Sequence, residues 1–210
     1  MADADLSPVD RAVPLVDWLD AAAAKRPTPG GGAAAAVAGA LAAAMGAMTL
    51  RYSVGRKSNS DADEQTLARC LAELDRARVV LLRLSEEDQL AYGAWRMAKE
   101  LDETDPSREH RLSAAASMCI AVPQSILATA GSILSLAVEA APVASPWLLS
   151  DLRVCGDLAT AAARCARSNV LANLSDLPGD QAASLRAEAD AAVAESVRRV
   201  RALEQAIDAR

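Results

Sequence analysis

Aromatic residues are scarce in this chain of 210 residues, which contains three Trp, two Tyr and no Phe. Gly and Pro are also few, at 10 and 9 residues. A β-sandwich or β-barrel needs frequent turns and β-branched or aromatic runs, so this composition argues against both folds. Hydrophobic residues make up 52%, and long Ala-, Leu-, Arg- and Glu-rich stretches predict helices around an aliphatic core.

Positive charge, histidine and paired cysteines are lacking as well. The net charge of −6 argues against a general nucleic-acid binder, although a few local cations can still hold an anionic ligand. A single His and the absence of any CxxC pair argue against a conventional zinc site, so we expect no metal. The acidic residues 1–10 do not resemble a secretory signal. We therefore predict reduced thiols and a cytoplasmic location.

Residues 30–50 contain no charged side chain, and their number is that of a bilayer-spanning helix. The segment is mostly Ala and Gly, however, and Ala gains little from hydrocarbon. Small residues also let the backbones of neighbouring helices approach closely in soluble cores. We therefore favour a central helix of a soluble bundle and expect no membrane association.

Proline- and glycine-containing breaks divide the chain into six helical segments. We place them at about 9–24, 33–54, 61–103, 107–140, 145–174 and 178–209, with a bend in the third near Ser85. No sustained strand pattern, repeat or internal boundary is visible. The prediction is a single all-α domain over residues 1–210, an up-and-down bundle of about five long helices plus a short N-terminal helix.

One carboxylate lies on an apolar helix seam. Leu81, Asp88 and Trp95 follow one another at intervals of seven residues. A carboxylate buried there costs several kcal/mol unless it is partnered or protonated, so Asp88 is a candidate general acid or base tuned by burial. Alternatively, a helix restarts at Ser85, and Asp88 belongs to its acid-rich first turn. The pattern alone leaves both interpretations open.

Two carboxamides, Asn169 and Asn173, continue an apolar stripe at i, i+4 spacing. They predict recognition of a heteroaromatic or amide ligand, and the alternative is helix capping with interhelix hydrogen bonds. Asp151 precedes Asn169 by 18 residues, which is roughly 27 Å along a straight helix. These residues therefore serve opposite ends of a long ligand or a site completed by a second subunit.

The triple glycine Gly30, Gly31 and Gly32 precedes the Ala-rich helix. Its glycines permit positive φ, and free N–H groups at a helix N-terminus suit an anion or a ring carbonyl. A simple tight turn is the alternative. Arg56 and Lys57 follow the far end of the same helix, where isolated cations commonly complement the helix dipole.

Several short motifs occur in one order along the chain. They are Pro-Thr-Pro-Gly-Gly-Gly at 27–32, Gly-Arg-Lys at 55–57, Asp88 with Tyr92, Ala-Val-Pro at 121–123, Ser-Asp-Leu at 150–152 and Asn-Val-Leu-Ala-Asn-Leu at 169–174. In this combination the chain resembles the cyclodeaminase/cyclohydrolase family. That family includes the cyclodeaminase half of formiminotransferase-cyclodeaminase and stand-alone methenyltetrahydrofolate cyclohydrolases. Two departures are Ala33, where the family usually has Ser, and the residues 145–149 before Ser-Asp.

The resemblance implies a helical bundle that forms a homodimer, with a folate site near the subunit interface. It also implies action on a one-carbon-loaded tetrahydrofolate without a metal or any cofactor beyond the folate substrate. We expect hydrolysis of 5,10-methenyltetrahydrofolate to 10-formyltetrahydrofolate. The alternatives are a formimidoyltetrahydrofolate cyclodeaminase that releases ammonia and, because of the two departures, a non-catalytic folate-binding or helical interaction dimer.

Within this interpretation the candidate residues take separate roles. Asp88 is the leading acid/base and Asp151 the second. The glycine-loop amides and the two carboxamides hold the pterin. The two cations hold a glutamate carboxylate of the substrate or orient a catalytic carboxylate. These binding residues are Gly30, Gly31, Gly32, Asn169, Asn173, Arg56 and Lys57.

Overall fold

The computed structural model describes residues 13–175 and 177–210, and within those ranges it contains helices and no strand. The helices are α1 (Leu15–Ala23), α2 (Gly31–Arg51), α3 (Asp61–Lys99), α4 (Arg108–Ala140), α5 (Leu149–Ala172) and α6 (Gly179–Asp208). A single turn of 3₁₀ helix, Pro146–Leu148, precedes α5. The predicted all-α architecture, with five long helices and one short N-terminal helix, is confirmed. Part of the predicted first helix, residues 9–12, lies outside the described residues.

Helix α2 lies at the centre of the bundle and contacts α3, α4 and α5, while α6 packs across α4 and α5. Its small residues make this position possible. A Cβ atom on Gly39 would lie 3.1 Å from Leu81 Cδ1, and one on Gly46 would lie 3.0 Å from Cys155 Sγ. Larger side chains at these positions would push α3 and α5 away, so the Ala- and Gly-rich composition sets the close helix spacing.

Two helices, α2 and α4, are long and apolar enough to cross a membrane by length and composition alone. In the bundle, 61% of the apolar window of α2 is buried against the other helices. Burial of this kind is what the core helix of a bundle requires, and it agrees with the central position predicted for α2.

Helix α3 runs without interruption from Asp61 to Lys99. Ser85 is buried inside it, and its carbonyl oxygen accepts a hydrogen bond from Gln89 Nε2 at 3.0 Å. The helix restart considered at Ser85 is therefore wrong, because the acidic run 86–88 lies in the middle of a helix and not in its first turn. The bend near Ser85 stays a prediction.

The end of the bundle opposite Asp88 is tied together by polar contacts between the connections. Ser53 Oγ accepts a hydrogen bond from Ser145 N at 2.8 Å and donates one to Thr49 O at 2.7 Å. Arg56 Nη1 donates to Ala144 O at 3.3 Å. These bonds hold the connection that follows α2 against the one that follows α4.

Candidate active site

Asp88 of α3 lies directly against the N-terminus of α2. Its Oδ2 atom accepts a hydrogen bond from the backbone N–H of Ala33 at 2.9 Å. Ala33 is the third residue of α2, so this N–H has no acceptor within its own helix. The carboxylate of one helix thus caps another, and it faces the positive end of the α2 dipole.

The glycines at this terminus are required by space. A Cβ atom on Gly32 would lie 2.0 Å from Asp88 Oδ1, and one on Gly31 would lie 3.2 Å from Asn169 Oδ1. Neither residue has positive φ; among the described residues only Gly55 does, at +75°. The positive φ that glycine permits is therefore not used by these residues, and what Gly31 and Gly32 provide is the absence of a side chain.

Burial raises the pKa of the Asp88 carboxyl above its ordinary value of 3.8, while the hydrogen bond from Ala33 opposes that rise. Desolvation prevails because the side chain is half-buried and the structure pairs it with no cation among the described residues. A carboxylate whose pKa is raised is a stronger base than an exposed one.

The two carboxamides have different surroundings. Asn173 Nδ2 donates to Cys119 O at 2.8 Å and to Asn169 O at 2.9 Å, so it joins the end of α5 to α4. Asn169 Nδ2 donates to Cys165 O at 2.8 Å, and its Oδ1 approaches Gly31. The interhelix bonding considered as the alternative role is thus present for Asn173, whereas Asn169 belongs to the group around Asp88.

A cleft of about 1030 Å³ opens next to this group, between the end of α3, the start of α4 and the end of α5. Its volume is in the range of sites that enclose a drug-sized ligand. The residues that line it include Tyr92, Trp95, Lys99, Arg108, Cys119 and Asn173. Sequence reasoning did not assign a role to Trp95, Lys99 or Arg108. The signal that points to the first two is their spacing from Asp88 on one helix face.

Cys119 links the cleft to the carboxylate. It lines the cleft, and burial raises the pKa of its thiol, with a further increase from the nearby charge of Asp88. Asp88 is therefore near Cys119, although it does not itself line the cleft. The thiol is consequently neutral at physiological pH and is not an activated nucleophile.

Three predicted site residues, Arg56, Lys57 and Asp151, lie at the other end of the bundle. Helix α2 has 21 residues, so its two ends are about 30 Å apart. Arg56 bonds the backbone after α4, Lys57 is exposed, and Asp151 lies in the first turn of α5. Within one chain the structure therefore does not bring these residues to Asp88.

In the part of the chain that the structure describes, no group of three or more His, Cys, Asp or Glu side chains is arranged to hold a metal ion. The four cysteines, Cys70, Cys119, Cys155 and Cys165, are free, as the sequence predicted. The single histidine, His110, is exposed in the first turn of α4. The absence of a metal requirement and the cytoplasmic location stay predictions.

Comparison with known proteins decides the family. A model of the formiminotransferase-cyclodeaminase family matches residues 14–192, a range that contains Asp88, the triple glycine and both carboxamides. The chain belongs to this family. The resemblance identified from the short motifs is therefore confirmed.

Individual members of the formiminotransferase-cyclodeaminase family are similar over most of this chain. A methenyltetrahydrofolate cyclohydrolase from Methylorubrum extorquens is 30% identical over 164 residues, which cover 76% of this chain and 78% of that protein. The rat formimidoyltransferase-cyclodeaminase is 29% identical over 75% of this chain, but the match covers only 30% of the rat protein.

A solved structure of similar fold is that of formiminotetrahydrofolate cyclodeaminase from Thermotoga maritima. It superposes with a TM-score of 0.80 and 25% identity, and the match covers 92% of this chain and 97% of that one. The fold of this chain is therefore shared over nearly its whole length.

Proposed function

We propose that this protein hydrolyses 5,10-methenyltetrahydrofolate to 10-formyltetrahydrofolate. The observation that carries the proposal is the position of Asp88, a half-buried carboxylate of raised pKa at a helix N-terminus beside a ligand-sized cleft. The similarity to a cyclohydrolase over 78% of that enzyme's length supports this choice of reaction.

The substrate carries a positively charged amidinium carbon between two nitrogens, and water must add to that carbon. Asp88 accepts a proton from the water as its oxygen attacks, which gives a neutral tetrahedral adduct. The protonated Asp88 then donates this proton to the departing ring nitrogen. As that C–N bond breaks, the adduct hydroxyl becomes the formyl carbonyl and releases its own proton to solvent.

The N-terminus of α2 supplies hydrogen-bond donors in this scheme. The N–H groups of Gly31 and Gly32 are, like that of Ala33, without acceptors inside the helix. The tetrahedral adduct is neutral and carries no charged oxygen, so we assign these donors to a carbonyl oxygen of the pterin ring, the role predicted from the sequence for the glycine-loop amides. Asn169 lies against Gly31, and we assign to its carboxamide a hydrogen bond with the pterin.

A cyclodeaminase remains the second candidate, because the chain also shares its fold with a formiminotetrahydrofolate cyclodeaminase at 25% identity. That reaction closes the ring at the same carbon and releases ammonia. The two activities are distinguished by product: ammonia from the formimidoyl substrate supports the second, and its absence alongside methenyl hydrolysis supports the first.

A non-catalytic dimer is the third alternative, and its support was Ala33 together with the altered residues 145–149 before Ser-Asp. In the structure Ala33 contacts Asp88 through its backbone N–H, not through its side chain. Replacing the family's usual Ser by Ala therefore leaves this hydrogen bond in place. The departure at position 33 does not by itself remove the acid/base group.

The test of the proposed function follows the absorbance of 5,10-methenyltetrahydrofolate with and without protein, with 10-formyltetrahydrofolate identified by mass spectrometry. We expect decay that is proportional to protein concentration and that forms this product. Decay equal to the uncatalysed rate at every protein concentration would exclude the cyclohydrolase.

We also propose that the protein is a homodimer. A second groove, of about 510 Å³, lies between α3 and α4, and it is lined by Leu90, Met97 and Met118, whose exposed fractions are 41%, 50% and 47%. Contiguous exposed apolar side chains of this kind mark interaction surfaces. Sedimentation should give the mass of two chains, and Met97→Glu with Met118→Glu should reduce it to that of one. A wild-type monomer at micromolar concentration would contradict the dimer.

Arg56, Lys57 and Asp151 can contribute to the site around Asp88 only in such a homodimer. The second copy would have to place its opposite end next to Asp88 of the first. Mixing inactive Asp88→Asn with inactive Asp151→Asn tests this arrangement. If each site uses both chains, equal mixing restores about a quarter of the wild-type activity, because half of the dimers carry one intact site of two. An active Asp151→Asn variant would remove that residue from the site.

A further inference from the structure

Four side chains of α3 share one helix face that runs from the Asp88 carboxylate into the cleft. Asp88, Tyr92, Trp95 and Lys99 are separated by four, three and four residues. Residues with this spacing lie above one another on a helix, and Tyr92, Trp95 and Lys99 all line the cleft. At 1.5 Å per residue, Lys99 is about 16 Å from Asp88 along the helix axis.

The middle of this face is aromatic. The ring centroids of Tyr92 and Trp95 are 6.0 Å apart, and their planes are inclined by 33°. Only five of the 210 residues are aromatic by the composition of the chain, so two neighbouring rings in the wall of one cleft are a concentrated feature. Their faces provide a surface on which a planar ligand ring can stack.

The outer end of the face is cationic. Lys99 Nζ lies 4.1 Å from the centroid of the Trp95 ring, and Arg108 lines the same end of the cleft. Among the described residues neither cation forms a salt bridge within 4 Å, whereas Arg96 on the same helix pairs with Glu100. Three carboxylates, those of Glu103, Asp105 and Glu109, also line this region. A bound anion is therefore stabilised only where it contacts the two cations directly.

We propose, as an extension of the proposed function, that this face binds the p-aminobenzoylglutamate part of the substrate. The order of groups along α3 matches the order of groups in the folate. The reacting carbon lies at Asp88, the benzoyl ring stacks on Tyr92 and Trp95, and the first glutamate carboxylate bonds Lys99 and Arg108. Lys99 leaves the Trp95 ring to make this bond. In this proposal the glutamate carboxylate binds Lys99 and Arg108, and not Arg56 and Lys57 as predicted from the sequence.

The test compares two substrates, methenyltetrahydrofolate with one glutamate and methenyltetrahydropteroate, which lacks it. For the first substrate, Lys99→Gln should raise KM about tenfold with kcat unchanged, which is the effect of losing one charge-assisted hydrogen bond. For the second, KM should not change. Arg96→Gln is the matched control, because it removes one positive charge from a neighbouring α3 position that does not line the cleft.

Arg108 needs a second variant, because its Nε also donates to Leu101 O at 3.2 Å and supports the α3–α4 connection. Arg108→Gln should raise KM for the glutamate-bearing substrate, and Arg108→Lys should restore part of the affinity. Equal KM values for Lys99→Gln, Arg96→Gln and wild type on both substrates would overturn the proposal.

A binding measurement separates this proposal from the proposed function. Quenching of Trp fluorescence is titrated with p-aminobenzoylglutamate and with p-aminobenzoate, neither of which requires turnover. Wild type should bind the glutamate conjugate about tenfold more tightly than Lys99→Gln does, and both should bind p-aminobenzoate equally. If methenyl hydrolysis is absent but this difference in affinity is present, the proposed subsite is supported and the proposed reaction is refuted. Identical titrations for both proteins would refute the subsite.

Discussion

The carboxylate of Asp88 occupies the space that a side chain on Gly32 would fill, since a Cβ atom there would lie 2.0 Å from Oδ1. Two helices that are separate in sequence are therefore in contact at this point, carboxylate against backbone. The contact explains why one acid lies on an otherwise apolar seam and why the helix it touches begins with glycines.

Gly32→Ala should disrupt this contact. The added methyl group displaces Asp88 or moves α2, and overpacking of this kind typically costs about 1–3 kcal/mol. Thermal unfolding should show a lower midpoint, and methenyl hydrolysis should fall with it. Gly30→Ala is the control for stability, because the nearest atom to its Cβ would be Pro27 O at 3.8 Å. A Gly32→Ala protein as stable as Gly30→Ala would show that the close contact does not exist.

The rate should depend on the protonation of Asp88. Because burial raises the pKa of this carboxyl above 3.8, kcat/KM should decline on acidification with a midpoint above that value. Below the midpoint the decline should approach tenfold per pH unit, as expected for one proton. The uncatalysed rate is subtracted at each pH. A profile that stays flat down to the ordinary carboxyl pKa would mean that Asp88 is not the base.

The same shift predicts how stability depends on pH. The folded protein binds the Asp88 proton more tightly than the unfolded chain does, so this group favours folding below pH 3.8 and loses that contribution as pH rises through the raised pKa. Asp88→Asn has no such proton, and its carboxamide oxygen can still accept from Ala33. Urea unfolding should therefore show the variant gaining stability relative to wild type as pH rises from about 4 to 8. A constant difference across that range would contradict the raised pKa.

Asn173→Ala should weaken the junction between α5 and α4. It removes the donor to Cys119 O and to Asn169 O, and each such bond contributes about 0.5–1.5 kcal/mol. We expect the free energy of unfolding in urea to fall by about 1–2 kcal/mol. Gln181→Ala, which removes an exposed carboxamide on α6, should change it by less than about 0.5 kcal/mol. Equal losses in the two variants would argue against the interhelix bond.

Much of this architecture is predictable because it follows from local composition. The heptad that contains Leu81, Asp88 and Trp95 is visible in the sequence, and so is the break that ends at Gly32. One helical segment over residues 61–103 was predicted, but the sequence left a helix restart at Ser85 open. An acidic run in mid-helix resembles a helix start, and only the contact with α2 distinguishes the two cases.

The cleft was harder to predict, because its residues come from three helices. Lys99 is the last residue of α3, where a cation is typical of dipole stabilisation and gives no sign of a ligand. Arg108 begins α4, and its proximity to Lys99 depends on how the connection between the helices folds. Arg56 and Lys57 are easier to notice as an adjacent pair, but α2 places them about 30 Å from the carboxylate.

Turnover of methenyltetrahydrofolate by Asp88→Asn decides whether Asp88 is the catalytic base. The control is Asp157→Asn, the same substitution at an exposed position on α5. A positioned base typically contributes 10²- to 10⁴-fold, so we expect a loss of about a thousandfold in kcat for Asp88→Asn. Asp157→Asn should match wild type, and both variants should melt at or above the wild-type temperature. Wild-type turnover by a folded Asp88→Asn protein would show that Asp88 is not the catalytic base.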